Sequence, residues 1–93
     1  MSIGDSSESI GNDTFVIDGA EMYAVPGFID AHVHVESSML TITEFSKIIS
    51  HHGTTTILWD PHEVVNVAGI DALKAVIRET ANLPIHVFFV VPS

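Results

Sequence analysis

Three strand-like apolar segments alternate with two helical patterns over residues 28–91, and this alternation limits the possible folds more than any other feature. Segments 28–35, 54–59 and 85–91 are rich in β-branched and aromatic residues, which favour strands. The last is apolar on both faces, as is typical of a parallel sheet. The order predicts parallel strands joined by crossover helices. The chain is therefore α/β, either half of a doubly wound sheet or the first third of a (β/α)8 barrel.

Recognisable signals bound both helices. Thr41 followed by Glu44 is a capping-box pattern, and Gly53 is a helix terminator, which predicts the first helix between them. Helical spacing of apolar residues predicts the second helix from about residue 68 to residue 81. No G-x-G-x-x-G motif follows a strand, so dinucleotide binding has no support. A barrel needs about 250 residues, so 93 residues predict an incomplete one.

The first 25 residues differ from the rest in composition. Residues 1–13 are rich in Ser, Gly, Asp and Asn, which predicts a flexible lead-in. Residues 14–18, TFVID, predict a short strand, and residues 22–25 predict a second extended piece. The Pro-Gly pair at 26–27 is a turn signal before the first long strand.

Charge and composition exclude several classes of protein. Twelve acidic residues against three basic ones give a net charge of −9, which argues against binding nucleic acid or an anionic membrane through a basic patch. The absence of cysteine excludes disulfides and thiolate metal sites. The N-terminus lacks the basic and apolar parts of a secretory signal. The longest apolar run, near 87–91, is far below the ~20 residues of a membrane helix. We therefore expect a cytoplasmic protein.

Two histidines give the strand over 28–35 its chemical character. Alternate strand residues project from one face, so His32 and His34 are predicted to lie side by side. The carboxylates of Asp30 and Glu36 share that parity. Imidazole and carboxylate are ligands that borderline divalent metals prefer, and sites in parallel α/β folds gather at the carboxyl ends of strands. We predict that His32 and His34 bind metal; the alternative is a pair of hydrogen-bonded core histidines.

A second polar cluster follows the next strand and is predicted to reach the same rim. Asp60, His62 and Glu63 surround Pro61, which fixes the backbone between them. They can supply a metal ligand, a proton relay or a partner that orients a metal-bound histidine. We predict a catalytic role for Asp60, His62 and Glu63. The alternative is a helix N-terminus where acidic side chains suit the helix dipole.

The residues just after the histidine strand are predicted to contact substrate. They are Glu36, Ser37 and Ser38, and the alternative is that the hydroxyl groups only cap a turn. His51 and His52 close a helix that leads back to the start of a strand. We therefore place these two histidines at the opposite end of the sheet, outside the site.

Two longer motifs resemble a known family. PGFIDAHVHVESSM, at 26–39, and HGTTTILWDPHEVVNVAG, at 52–69, look like the opening of proteins in the adenine deaminase family of the amidohydrolase superfamily. PGFIDAHVH is shared across the superfamily, including dihydroorotases, imidazolonases and amino-sugar deacetylases. ESSM, HGTTT and DPHE are narrower and point to the adenine deaminase branch. The similarity covers roughly residues 14–93.

The resemblance implies a metal-dependent (β/α)8 barrel beside a small β-sandwich. Residues 14–25 would end the sandwich, and residues 26–93 would begin the barrel. His32 and His34 match the first two ligands of a two-metal centre, typically manganese or iron. The implied reaction hydrolyses adenine, a small-molecule substrate, to hypoxanthine and ammonia. A homo-oligomer is expected when the protein is full length.

Such barrels take further metal ligands from later strands, which residues 1–93 do not include. We therefore expect the chain to be a portion of a longer protein, inactive unless the remaining strands are supplied in cis or by another chain. Two other hypotheses stay open. One is a different amidohydrolase, acting on a cyclic amide or an N-acetyl sugar. The other is a non-enzymatic remnant that folds only with a partner chain.

Overall fold

The computed structural model describes residues 4–91 and shows three parallel strands connected by two helices. This confirms the α/β class and the predicted alternation. The strands lie side by side in chain order. The elements are a 3-10 turn at Ser7–Ser9, β1 (Phe28–Val33), a 3-10 turn at Val35–Ser38, α1 (Ile42–His51), β2 (Thr54–Trp59), α2 (His62–Glu79), a 3-10 turn at Thr80–Asn82 and β3 (His86–Phe89).

The pairing of β1 with β2 is irregular near its carboxyl end. Asp30 pairs with Ile57, and Val33 pairs with Trp59, so β1 advances three residues while β2 advances two. An extra residue of this kind is a β-bulge, which bends a strand and redirects its side chains. The bulge includes His32. The pairing of β2 with β3 is regular by comparison.

The core lies between one face of the sheet and the two helices. Its buried apolar residues are Val35, Ile42, Ile57, Trp59 and Ile85. Partly buried side chains from both helices and from β3 pack around them. Phe88, which lies between two core-facing residues of β3, is 59% exposed. Complete parallel sheets are covered on both faces, whereas within the described residues the helices pack on one face of this sheet. No helix within residues 4–91 is long and apolar enough to cross a membrane.

Helix α1 begins and ends where the sequence predicts. The Thr41 hydroxyl accepts a hydrogen bond from the Glu44 amide at 3.3 Å, which confirms the N-cap. The helix ends at His51, and Gly53 follows with a φ of 87°. The local signals were sufficient here because cap and terminator act within a few residues of the helix ends.

Helix α2 starts earlier than predicted. It begins at His62 rather than near residue 68, and it ends at Glu79. Gly69 interrupts it with φ 70° and ψ −166°, a conformation that glycine alone adopts readily. The resulting kink divides the helix into two parts. The predicted range, from about residue 68, therefore covers only the second part.

The strand predicted over residues 14–18 is not formed. Every residue from 4 to 32 is exposed, and Phe15 and Tyr23 are exposed to 88% and 94%. A strand requires a neighbour that shares its backbone hydrogen bonds, and no such neighbour for 14–18 lies within the described residues. The sandwich assignment of 14–25 stays a prediction, as does the flexible lead-in, whose residues 1–3 lie outside the described part. Residues 92–93, the last two of the predicted barrel segment, lie outside it as well.

Candidate metal centre

His32 and His34 lie side by side at the carboxyl end of β1. Their Nε2 atoms are 3.1 Å apart, and the ring planes meet at 75°. The strand was predicted to run to Val35, but β1 ends at Val33, so His34 lies just outside the observed strand; its backbone is still extended (φ −110°, ψ 96°). The alternation of side chains therefore continues for one more residue. His32 is exposed and His34 half-buried, so neither is a core histidine.

A hydrogen bond to the backbone sets the orientation of His34. Its Nδ1 lies 3.0 Å from the carbonyl oxygen of Asp60. A carbonyl oxygen only accepts, so Nδ1 carries the proton, and Nε2 of the neutral ring keeps its lone pair. Metal-binding histidines are commonly oriented by this kind of bond.

The carboxylate of Asp60 completes a three-residue cluster. One potential ligand atom from each of His32, His34 and Asp60 lies within 4.8 Å of the others. Asp60 directly follows β2, and its amide donates to the carbonyl oxygen of Val33 at 3.0 Å. This bond joins the ends of β1 and β2, so the predicted convergence of the two clusters at one rim is observed.

The cluster fits a divalent cation. Two imidazole nitrogens bound to one metal at about 2.1 Å each lie roughly 3 Å apart at common coordination angles. The observed 3.1 Å between the two Nε2 atoms matches that separation. A carboxylate at the same place adds a third ligand of suitable type. His32, His34 and Asp60 would hold the ion.

His62 lies against this cluster. Its ring meets that of His34 edge-on, with centroids 4.7 Å apart, and its Nδ1 is 3.3 Å from Oδ1 of Asp60. The same Asp60 oxygen accepts from the His62 backbone amide at 3.2 Å. These contacts hold the ring on the Asp60 side and leave Nε2 as the nitrogen that faces away from the carboxylate.

Glu36 does not lie with the histidines, and this corrects the parity argument. The chain turns into a 3-10 helix at Val35–Ser38, which ends the strand alternation. The Glu36 carboxylate instead accepts from Nε1 of Trp59 at 2.6 Å and from the amide of Val64 at 3.3 Å. Asp30 is also outside the cluster. Its carboxylate accepts the backbone amide of His32 at 3.1 Å.

Two serines and Glu63 line the same loops. Ser37 donates to Oε1 of Glu63 at 2.9 Å and so links the turn after β1 to the first turn of α2. Ser38 donates to the carbonyl oxygen of Val35 and accepts from the amide of Leu40. Ser38 thus has the turn-capping bonds considered as the alternative, and substrate contact by either serine stays a prediction.

His51 and His52 lie at the far end of the sheet, as expected. The amide of Phe28, the first residue of β1, donates to the carbonyl oxygen of Gly53 at 2.8 Å. The end of α1 is therefore beside the start of β1 rather than its carboxyl end. His51 bonds through Nδ1 to the carbonyl oxygen of Lys47 within its own helix.

The sequence did not reveal the bond between Trp59 and Glu36 or the one between His34 and the Asp60 carbonyl. These partners are 23 and 26 residues apart. No local motif marks such pairs.

Residues 23–93, most of the chain, match the profile of the Amidohydrolase family. The chain therefore belongs to that family, which confirms the superfamily-level resemblance. It is 49% identical over 92 residues to the adenine deaminase of Moorella thermoacetica and 53% identical over 78 residues to that of Thermosipho africanus. It is 48% identical over 94 residues to adenine deaminase 1 of Carboxydothermus hydrogenoformans.

These alignments cover nearly all of this chain but little of its relatives. The alignment covers 99% of the chain with the Moorella protein, 84% with the Thermosipho protein and 100% with the Carboxydothermus protein. The chain spans 14–16% of the length of the same three relatives.

Proposed function

We propose that this chain is the opening part of a metal-dependent adenine deaminase barrel and supplies its first metal ligands. The reaction would convert adenine and water to hypoxanthine and ammonia. The observation that carries the proposal is the cluster of His32, His34 and Asp60 at the carboxyl ends of β1 and β2. Support for adenine as the substrate comes from the relatives, which are about half identical to the chain and are named adenine deaminases.

The proposed complete fold is a (β/α)8 barrel with the three strands as its first part. The sequential parallel order of β1, β2 and β3 and the exposed sheet face support this arrangement. The remaining strands would come from the same polypeptide or from another chain. Active sites of such barrels lie at the carboxyl ends of the strands, where the histidine pair lies.

The residues of the site take distinct proposed roles. When bound at His32, His34 and Asp60, a divalent cation lowers the pKa of water and so supplies the nucleophile near neutral pH. His62, held through Nδ1 by Asp60, would transfer protons at Nε2 and protonate the departing amine. Glu63, in the first turn of α2, is proposed to have a catalytic role as well.

The substrate and the ions complete the proposal. Glu63 and Ser37 form a polar pair at the rim that is suited to the ring nitrogens of adenine. Contact of Ser38 or Glu36 with substrate stays a prediction. We propose manganese or iron as the metal and two ions in the complete enzyme, the second with ligands beyond those of this cluster. A cytoplasmic homo-oligomer is proposed for the complete protein.

Turnover by the full-length gene product tests the function. Manganese-loaded protein should release hypoxanthine and ammonia from adenine, and His32→Ala and His34→Ala should each abolish release. The double variant His51→Ala/His52→Ala is the control and should retain activity, since those rings are at the opposite end. Full activity in either single variant would refute the site. Turnover of a cyclic amide or N-acetyl sugar without adenine turnover would favour another amidohydrolase.

A further inference from the structure

We infer that Glu36 is a positioning residue for the metal centre rather than a ligand. Its carboxylate lies where three segments meet: the turn after β1, the end of β2 and the start of α2. The inference rests on the proposed function only in taking His32, His34 and Asp60 as the ligands. It does not depend on adenine as the substrate.

The first of the two Glu36 bonds fixes the end of β2. Trp59 is 2% exposed, and a buried indole N–H requires an acceptor. That acceptor is Oε2 of Glu36 at 2.6 Å, a bond strengthened by the charge of the carboxylate. Asp60 is the next residue along the chain. Holding the indole therefore limits where the Asp60 carboxylate and carbonyl can lie.

The second bond fixes the start of α2. The first amides of a helix have no partner within the helix, and an anion is favoured beside them. The residue before α2 is Pro61, whose side chain provides no cap. The His62 amide donates to Oδ1 of Asp60, and the amide of Val64 donates to Oε1 of Glu36 at 3.3 Å, so this second part of the cap comes from 28 residues upstream. His62 belongs to the same turn.

Three groups of the site are therefore close in sequence to Glu36 or to one of its two contacts. His34 precedes Glu36 by two residues, Asp60 follows Trp59, and His62 precedes Val64 by two. A glutamine at position 36 has one acceptor oxygen, and its NH2 group would face an N–H donor. Glu36→Gln thus breaks one of the two bonds without changing side-chain size.

Metal affinity of the full-length gene product tests this inference. In a calorimetric titration with Mn²⁺, Glu36→Gln should lower the affinity for the metal by about 10- to 100-fold. This is the usual effect of losing a group that orients a metal ligand. Glu44→Gln is the matched control. Glu44 is an exposed carboxylate on α1 that pairs with Lys47 at 2.6 Å, so its loss should leave the affinity unchanged. The absorption spectrum of the Co²⁺-loaded protein should change in Glu36→Gln and stay the same in Glu44→Gln.

A merely structural role would give a different result. Glu36→Gln would then lower the melting temperature while the folded variant kept its Mn²⁺ affinity and Co²⁺ spectrum, and that result would overturn the inference. If this variant does not fold, Trp59→Phe, which removes the indole N–H donor and keeps a smaller aromatic ring in the core, should weaken Mn²⁺ binding in the same direction. Unchanged affinity in Trp59→Phe would then overturn it.

The ligand variants separate failure of the inference from failure of the proposed function. Unchanged Mn²⁺ affinity in His32→Ala and His34→Ala would refute the metal centre and the inference together. Loss of affinity in those variants but not in Glu36→Gln would refute the inference alone. Adenine turnover is not measured, so a different substrate leaves this test intact.

Discussion

The Nδ1 atom of His34 lies 3.0 Å from the backbone carbonyl oxygen of Asp60, and its Nε2 lies 3.1 Å from Nε2 of His32. Since a carbonyl oxygen can only accept a hydrogen bond, Nδ1 of neutral His34 must carry the proton and donate it. The hydrogen bond between the two Nε2 atoms must then be donated by His32. The two distances therefore predict different tautomers for the two neutral rings when no metal is bound.

The first prediction concerns these tautomers. In metal-free protein near pH 8, where imidazoles are ordinarily neutral, His34 should be the Nδ1–H form and His32 the Nε2–H form. Long-range ¹H–¹⁵N correlation spectra of protein labelled at histidine distinguish the two. Adding Zn²⁺ should move the His32 proton to Nδ1. An Nε2–H form of His34 would contradict the bond to Asp60.

The second prediction concerns proton transfer by His62. His62→Gln removes Nε2 as a proton carrier, so kcat for adenine deamination should fall about 100-fold or more. KM and metal content should change little, because the three proposed ligands remain. His86→Gln is the control, since His86 is the first residue of β3 and lies away from the carboxyl ends. Steady-state kinetics gives kcat and KM for the two variants, and metal analysis gives their metal content. An unchanged kcat in His62→Gln would exclude His62 from catalysis.

The third prediction concerns the N-cap of α1. Thr41→Ala removes the acceptor for the Glu44 amide and should lower the free energy of unfolding by about 1 kcal/mol. Thr41→Ser keeps the hydroxyl and should behave like the parent protein. Urea denaturation followed through Trp59, the single tryptophan of the chain, reports on this region. Equal stability of the two variants would show that the cap contributes nothing.

The fourth prediction concerns the kink in α2. Gly69 has φ 70° and ψ −166°, a region essentially limited to glycine, so Gly69→Ala should cost about 1–3 kcal/mol. Within residues 4–91, and apart from the adjacent residues and the helix's own nearby backbone, no atom lies within 4 Å of the position a Cβ would take, so the cost is backbone strain rather than collision. Gly19→Ala is the control, with open space and no positive φ. The same urea denaturation compares the two variants. If Gly69→Ala left the free energy of unfolding unchanged, α2 could adopt a helical conformation at residue 69 without cost.

Local signals predicted some of these features and missed others for identifiable reasons. The cap at Thr41 and the strand over 54–59 depend on residues a few positions apart, and both were predicted correctly. The start of α2 was missed because Gly69 interrupts the helix, and because Glu36, which accepts from the Val64 amide in the first turn, is far away along the chain. The His62 amide, by contrast, has a local acceptor, Asp60. The strand over 14–18 was predicted from β-branched content, which does not provide the neighbour that a strand requires.

Reading the residues alone was enough for the α/β class, the order of elements, the family and the adjacent histidines. Backbone periodicity and short motifs carry all of these, and both act over short stretches of chain. Only the tertiary structure showed which carboxylate lies beside the two histidines. Asp60 is close to both of them. The carboxylate of Glu36 instead bonds to Trp59 and Val64. The physical reason is that these contacts join residues 23 to 28 positions apart. They form only when parallel pairing brings the ends of β1 and β2 together.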